Sequence, residues 1–182
     1  MYDFDKHLSE LSAQTVLCVG DLMLDEFVYG DVSRISPEAP VPVVEVKRES
    51  WHAGGAGNVV SNLLALGAQA IPIGVIGEDW AGERLREQFA EAGADTSFLI
   101  HEAGRPTTLK TRIVAHHQQM IRADRESKTP IGEATENILI AAFTKALKSA
   151  DAVIVSDYDK GLLTPRVLQN VLAAAAQKMV CL

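Results

Sequence analysis

Cysteine is scarce in this chain: two residues in 182, Cys18 and Cys181. One falls in a predicted buried strand and the other near the C-terminal end. Such a pair supplies neither a disulfide framework nor a zinc set, so both are expected to be reduced and structural. Long apolar runs are also missing. Although 47% of residues are hydrophobic, none of the runs approaches the ~20 residues of a membrane span. The opening Met-Tyr-Asp-Phe-Asp-Lys-His is polar and acidic and carries no signal-peptide pattern. A cytoplasmic protein with no membrane partner is the expectation. Positive charge is in deficit, with a formal net charge of −7, which argues against a general nucleic-acid binder. A local basic cluster can still hold an anionic small molecule, and Lys110, Arg112 and Arg122 offer one. Solvated strand ends are the competing reading of those three.

The common nucleotide signatures are absent. No G-x-x-x-x-G-K-[ST] occurs, which excludes a P-loop protein. Gly55-Ala-Gly57-Asn-Val-Val60 lacks the third glycine of a dinucleotide fingerprint and follows a long β-prone segment rather than opening a first βα unit. The five histidines form no ligand set. His116 and His117 are adjacent, and neighbours on a strand point to opposite faces, so a hairpin turn is favoured over a metal site. No metal ligands are assigned.

What is present alternates between strand and helix. A short amphipathic helix precedes Gln14. Residues 15–19, Thr-Val-Leu-Cys-Val, form a compact apolar run ending in Gly20-Asp21, as in a buried parallel strand. Residues 27–29 are β-prone, 36–42 are proline-rich, and 43–48 alternate as a strand with one wet face. A helix is predicted over 58–66 with Gly67 as its stop, a strand over 70–77, a helix over 81–92 and a strand over 95–100. Residues 107–115 and 118–122 read as a hairpin around the two histidines. A helix over 133–149, a buried strand over 152–156, a helix over 165–177 and an apolar strand from Lys178 to Leu182 complete the pattern. This alternation predicts an α/β fold with a largely parallel sheet. The segments at 27–47 and 107–122 are expected to form a small separate sheet.

Three clusters carry candidate chemistry. His52-Ala-Gly-Gly-Ala-Gly-Asn58 crowds three glycines and an asparagine before an apolar helical run. Glycine permits close backbone approach to a ligand, and a helix start presents unpaired N–H groups to it. A tight strand-to-helix connection without a ligand is the alternative. Asp21 and Asp25 lie at the carboxyl end of a predicted parallel strand, where ligands gather in open α/β sheets. They are candidates to accept hydrogen bonds from sugar hydroxyls, or else to serve as a helix cap and a solvated acid. Ser156-Asp-Tyr-Asp-Lys-Gly161 follows the second buried strand. There Asp157 is a candidate for hydrated Mg²⁺ and Lys160 for a phosphate; a capped βα loop is the alternative.

Ala53-Gly-Gly-Ala-Gly-Asn58, with Gly67 and Gly77, resembles the first sugar-kinase signature of the ribokinase (phosphofructokinase B) family. Val60 departs from that pattern, which usually has a small residue there. Gly20-Asp-Leu-Met-Leu-Asp25, Ser33-Arg-Ile-Ser-Pro-Glu-Ala-Pro-Val-Pro-Val43, Gln118-Gln-Met-Ile-Arg-Ala-Asp124 and Ser156-Asp-Tyr-Asp-Lys-Gly161 together resemble the kinase domain of bacterial heptose 7-phosphate kinases. These include bifunctional kinase/adenylyltransferases that make ADP-heptose for lipopolysaccharide. The resemblance runs from about residue 16 onward. It implies a ribokinase-like α/β core with a small β lid used for homodimerisation. It also implies ATP-dependent phosphorylation of the anomeric hydroxyl of D-glycero-β-D-manno-heptose 7-phosphate, with Mg²⁺. By match to the pattern, Asp21, Asp25, Gly54, Gly55, Gly57 and Asn58 would bind the sugar. Arg34, Lys110, Arg112 and Arg122 are the candidates for the 7-phosphate or for lid closure.

One part of that family's pattern has no counterpart here. Its members carry a late Gly-Ala-Gly-Asp segment whose aspartate is the catalytic base, and phosphoryl transfer depends on such positioning and electrostatics. No Gly-x-Gly-Asp occurs in this sequence, and after Asp151 the only glycine is Gly161. The base is therefore expected beyond Leu182. The expectation is the amino-terminal portion of a kinase domain, spanning 1–182, with no catalytic residue of its own and inactive by itself. A non-catalytic sugar-phosphate binding or dimerisation module, and a kinase for another sugar, are the alternatives.

Overall fold

The structure is a computed structural model that describes residues 4–181. Helix α1 (Phe4–Ser12) leads into strand β1 (Thr15–Gly20), the centre of the main sheet. Strand β4 (Gln69–Ile76) pairs with one side of β1 and β8 (Ala152–Ser156) with the other, both parallel. Strands β5 (Leu99–His101) and β9 (Met179–Cys181) add the outer positions, giving the order β5-β4-β1-β8-β9. The last strand, expected from Lys178 to Leu182, is thus seen over Met179–Cys181; Leu182 lies outside the described residues. The expectation of a catalytic base beyond Leu182 falls outside them as well.

The continuous apolar run of β1 exists because both faces of this sheet are covered. Leu17 and Val19 point to one side, into a core with Leu139 and Phe143 of α4 (Glu133–Ala146) and Val167 and Val171 of α5 (Pro165–Ala174). Val16 and Cys18 point to the other, against Val60 of α2 (Ala56–Ala65) and Leu85 and Phe89 of α3 (Trp80–Glu91). Each such side chain contributes about 1.5–3 kcal/mol on burial. Cys18 is one of them; burial pushes its thiol up to about 12. Both cysteines are free.

A second sheet rises from the same core. Strands β2 (Leu22–Ile35), β3 (Pro42–Gly55), β6 (Thr108–Ala115) and β7 (Gln118–Arg125) lie in the order β3-β2-β6-β7. Pairing is parallel only between β2 and β6. This is the small sheet expected from 27–47 and 107–122, but its strands are longer. The β2–β3 ladder runs from Ile35↔Pro42 down to Leu22↔Gly55, so the ribbon is rooted in the core. His116 and His117 take φ of +50° and +63°, the left-handed pair of a two-residue hairpin turn.

Three boundaries differ from expectation. The glycine cluster is the end of β3, not a turn after it, and α2 starts at Ala56 rather than residue 58. Gly55 makes the switch with φ +58°, a backbone state that disfavours a side chain. The strand expected over 95–100 opens instead as a 3-10 turn, Thr96–Phe98, because the Asp95 carboxylate accepts the Ser97 N–H. Finally, α4 and α5 each close three residues early, at Ala146 and Ala174.

Candidate functional site

Paired strands set opposite residues on the same face, and alternate residues along each strand return to it. One row across the lid sheet reads His52, Asp25, Lys110, Asp124, from β3 through β2 and β6 to β7. The next row on that face, two residues along, reads Ser50, Phe27, Arg112, Arg122. This face and the glycine end of β3 border an open cavity of about 570 Å³. Asp25, Gly54, Gly55, Asn58, Lys110, Arg112 and Arg122 all line it. The basic cluster and the glycine cluster, about 50 residues apart in the chain, therefore share one pocket.

The cavity is balanced in charge. Arg112 donates to Asp25 Oδ1 at 2.6 Å, and its guanidinium carbon lies 5.1 Å from the centre of the Phe27 ring. Lys110 Nζ sits 3.0 Å from Asp124 and 3.2 Å from Glu126. Arg122 grips Asp124 with two donors, at 2.9 and 3.0 Å. Arg112 and Arg122 face each other directly across β6 and β7. Two like charges so placed repel, and the two aspartates offset that repulsion. The Lys110 ammonium above all holds the Asp124 carboxyl below the usual carboxylate range.

The glycine wall of the cavity is poor in side chains for a steric reason. A Cβ on Gly54 would fall 2.5 Å from the Asp25 Oδ2 atom, so any other residue there would push the carboxylate away. Asn58 is exposed at the cavity rim, with an amide able both to donate and to accept. Hydroxyl groups of a sugar match this set: a carboxylate, an amide and a close backbone.

Five predicted site residues stand elsewhere. Asp21 is 3% exposed and is occupied by the fold, its Oδ2 accepting the N–H of Tyr158 at 2.8 Å and of Lys160 at 3.2 Å. Burial raises the pKa of its carboxyl, while those two N–H groups pull the other way. Asp21 thus anchors the loop after β8 and does not line the cavity. Gly57 faces inward, where a Cβ would meet Ala53 and the Phe89 ring at 3.1 Å; it serves helix packing. Arg34 is exposed near the tip of the β2–β3 ribbon, away from the cavity. Lys160 gives its ammonium to Glu126 at 3.1 Å. Asp157 caps its own loop, accepting the Asp159 N–H at 2.8 Å. Among the described residues no three His, Cys, Asp or Glu side chains converge on a metal position.

Met23, Phe27, Tyr29, His52, Ala53 and Tyr158 complete the cavity wall; four of them lie in motifs quoted from the sequence, but none was given a site role there. Counting in twos from Asp25 reaches Met23, Phe27 and Tyr29, so a period-2 reading of β2 would have found three of them. His52 and Tyr158 sit inside quoted motifs, but strand pairing and loop packing are what turn them to the cavity.

Residues 13–180 match the model of the family described as pfkB family carbohydrate kinase. The chain is 52% identical over 176 residues to the bifunctional protein HldE of Bradyrhizobium sp. (strain ORS 278), covering 96% of this chain and 36% of that protein. It is 50% identical over 168 residues to the protein of the same name from Wolinella succinogenes, covering 92% of this chain and 35% of the relative. Among solved structures it resembles 2-dehydro-3-deoxygluconokinase from Thermotoga maritima, with TM-score 0.68, 17% identity, and coverage of 92% of this chain and 49% of that one. It also resembles Arabidopsis thaliana ribokinase complexed with ribose and ATP, with TM-score 0.62, 16% identity, and coverage of 92% and 52%. At such identities these structures establish the ribokinase-like fold alone. The chain spans little more than a third of its curated relatives and about half of these solved kinases.

Proposed function

The chain belongs to the pfkB family of carbohydrate kinases, and from that premise we propose that it forms the sugar-binding part of a kinase for D-glycero-β-D-manno-heptose 7-phosphate. The complete kinase would transfer the γ-phosphoryl group of ATP, with Mg²⁺, to the anomeric hydroxyl, on the way to ADP-heptose and lipopolysaccharide. One observation carries the reading: a single cavity combines Asp25, Gly54 and Asn58 with Lys110, Arg112 and Arg122. The first three suit sugar hydroxyls. The three cations suit a phosphate on the same molecule, where guanidinium groups provide paired donors. The relatives at about 50% identity, named as bifunctional HldE proteins, support the heptose assignment over other sugars.

In this reading Asp25 accepts hydrogen bonds from the sugar while Arg112 fixes its orientation. The pfkB catalytic base belongs to a Gly-x-Gly-Asp segment that these residues do not contain, so the 182 residues alone transfer no phosphoryl group. Dimerisation through the lid and a cytoplasmic location are part of the proposal. Exposed Ile35, Val41, Val46, Met120 and Ile121 on the lid strands and their connecting loop support the first.

The test is calorimetric titration of the chain with heptose 7-phosphate, ribose and fructose 6-phosphate. Heptose 7-phosphate is expected to bind most tightly; a preference for ribose would reject the assignment. A kinase assay with ATP and Mg²⁺ should show no turnover above background. Clear turnover would overturn the assignment of the base to residues outside this sequence.

A further inference from the structure

We propose that Asp124 holds the place of the ligand's phosphate on Lys110 and Arg122 and must be displaced for a phosphorylated sugar to bind. The inference rests on the sugar-phosphate reading above and names the residue that sets selectivity within it. Among the described residues Asp124 is the one carboxylate shown touching two of the three cavity cations, Lys110 and Arg122. Its two oxygens receive three donors from those residues at 2.9–3.0 Å. This is how a bound anion would be held. Glu126 does not play that part, because it joins Lys110 to Lys160 and makes no ion pair with Arg122. Asp25 is committed to Arg112.

The exchange is favourable in charge. A phosphate monoester carries about −1.5 to −2 at pH 7 and offers three acceptor oxygens, against one charge and two oxygens for Asp124. Arg112 lies directly opposite Arg122 in register, so a phosphate seated between them would gain a third cation that Asp124 is not seen to bind. Lys110 keeps Glu126 as a partner when Asp124 leaves, and so stays in position. A free sugar lacks the charge to displace Asp124. The competition therefore falls on the phosphorylated form alone, because the free sugar leaves Asp124 on Lys110 and Arg122.

The experiment compares the whole chain with its Asp124→Asn variant, titrating each with heptose 7-phosphate and with the unphosphorylated heptose. Asparagine keeps the size and removes the charge. In the variant, the preference for the phosphorylated sugar is expected to rise roughly tenfold, equivalent to about 1.4 kcal/mol. A preference that falls or stays the same would overturn the proposal and make Asp124 a positioning group for Lys110 and Arg122. If the parent chain shows no preference for the phosphorylated sugar, the sugar-phosphate reading itself fails, and the two failures are thereby separate. A second readout does not depend on the variant folding. In the parent chain the NMR signal of the Arg122 Nε–H should shift on adding heptose 7-phosphate and stay in place on adding the free heptose. No shift with the phosphate would count against displacement.

Discussion

The main sheet and the lid sheet are built from similar strands but solve opposite problems. In the main sheet, Leu17 and Val19 are fully buried and the layer is closed on both faces by helices. In the lid, one face carries Asp25, Lys110, Arg112, Asp124 and Arg122, and the other leaves Ile121 57% exposed. The core is held by apolar burial, whose loss is costly wherever it occurs. The lid is held by backbone ladders and by ion pairs between partly exposed groups, each worth about 0–1 kcal/mol. The charges that line the cavity thus lie on the second sheet, while most of the apolar burial lies around the first.

Truncation tests this division most strongly. Phe89→Ala in the core should cost about 3–5 kcal/mol in chemical denaturation. Ile121→Ala on the lid should fall within about 0.5 kcal/mol of the parent. Equal losses would break the comparison.

Binding should show the reverse order. Asp25→Ala is expected to weaken heptose 7-phosphate binding by about 1.5–3 kcal/mol, the range for hydrogen bonds to a charged group. Its unfolding midpoint should move little. Asp21→Ala should do the opposite, losing about 1–3 kcal/mol of stability because two part-buried N–H groups lose their acceptor. Faster hydrogen exchange at Tyr158 and Lys160 would locate that loss. Asn58→Ala should cost about 1 kcal/mol of sugar affinity, and an unchanged Kd would remove Asn58 from the site.

Acid gives the smallest effect and sharpens the contrast. The Lys110 ammonium above all depresses the Asp124 carboxyl. A depressed carboxyl contributes stability above its unfolded value, and that contribution is lost as pH falls through the folded value. The lid should therefore loosen below about pH 4, the ordinary carboxylate range. Asp21 has the opposite sign: burial raises its pKa, so its ionisation costs stability as pH rises above the ordinary range, and its protonation in acid partly offsets the lid's loss. Hydrogen exchange followed along an acid titration should show protection falling in β6 and β7 before β1.

Much of this division was readable along the chain. The uninterrupted apolar run of β1 marked a sheet covered on both sides, and the alternation at 43–48 marked a strand with one wet face. The basic cluster and the family signature named seven of the residues that line the cavity. Asp21 and Asp25 looked equivalent in sequence, as two acids four residues apart beyond the same strand. Asp21 lies where β8 closes against β1 and is taken up by the backbone N–H groups of Tyr158 and Lys160. Asp25 lies four residues up the ribbon, where the pleat turns it to the cavity.

Local pattern was enough for the α/β class, the apolar core strands, the lid segments and the sugar-kinase kinship, because periodicity and glycine spacing are properties of neighbouring residues. The occupancy of each polar group was settled by folding. Whether a carboxylate is spent on a loop, paired with an arginine or left facing the cavity depends on partners that pairing and packing bring from 14 to 139 residues away.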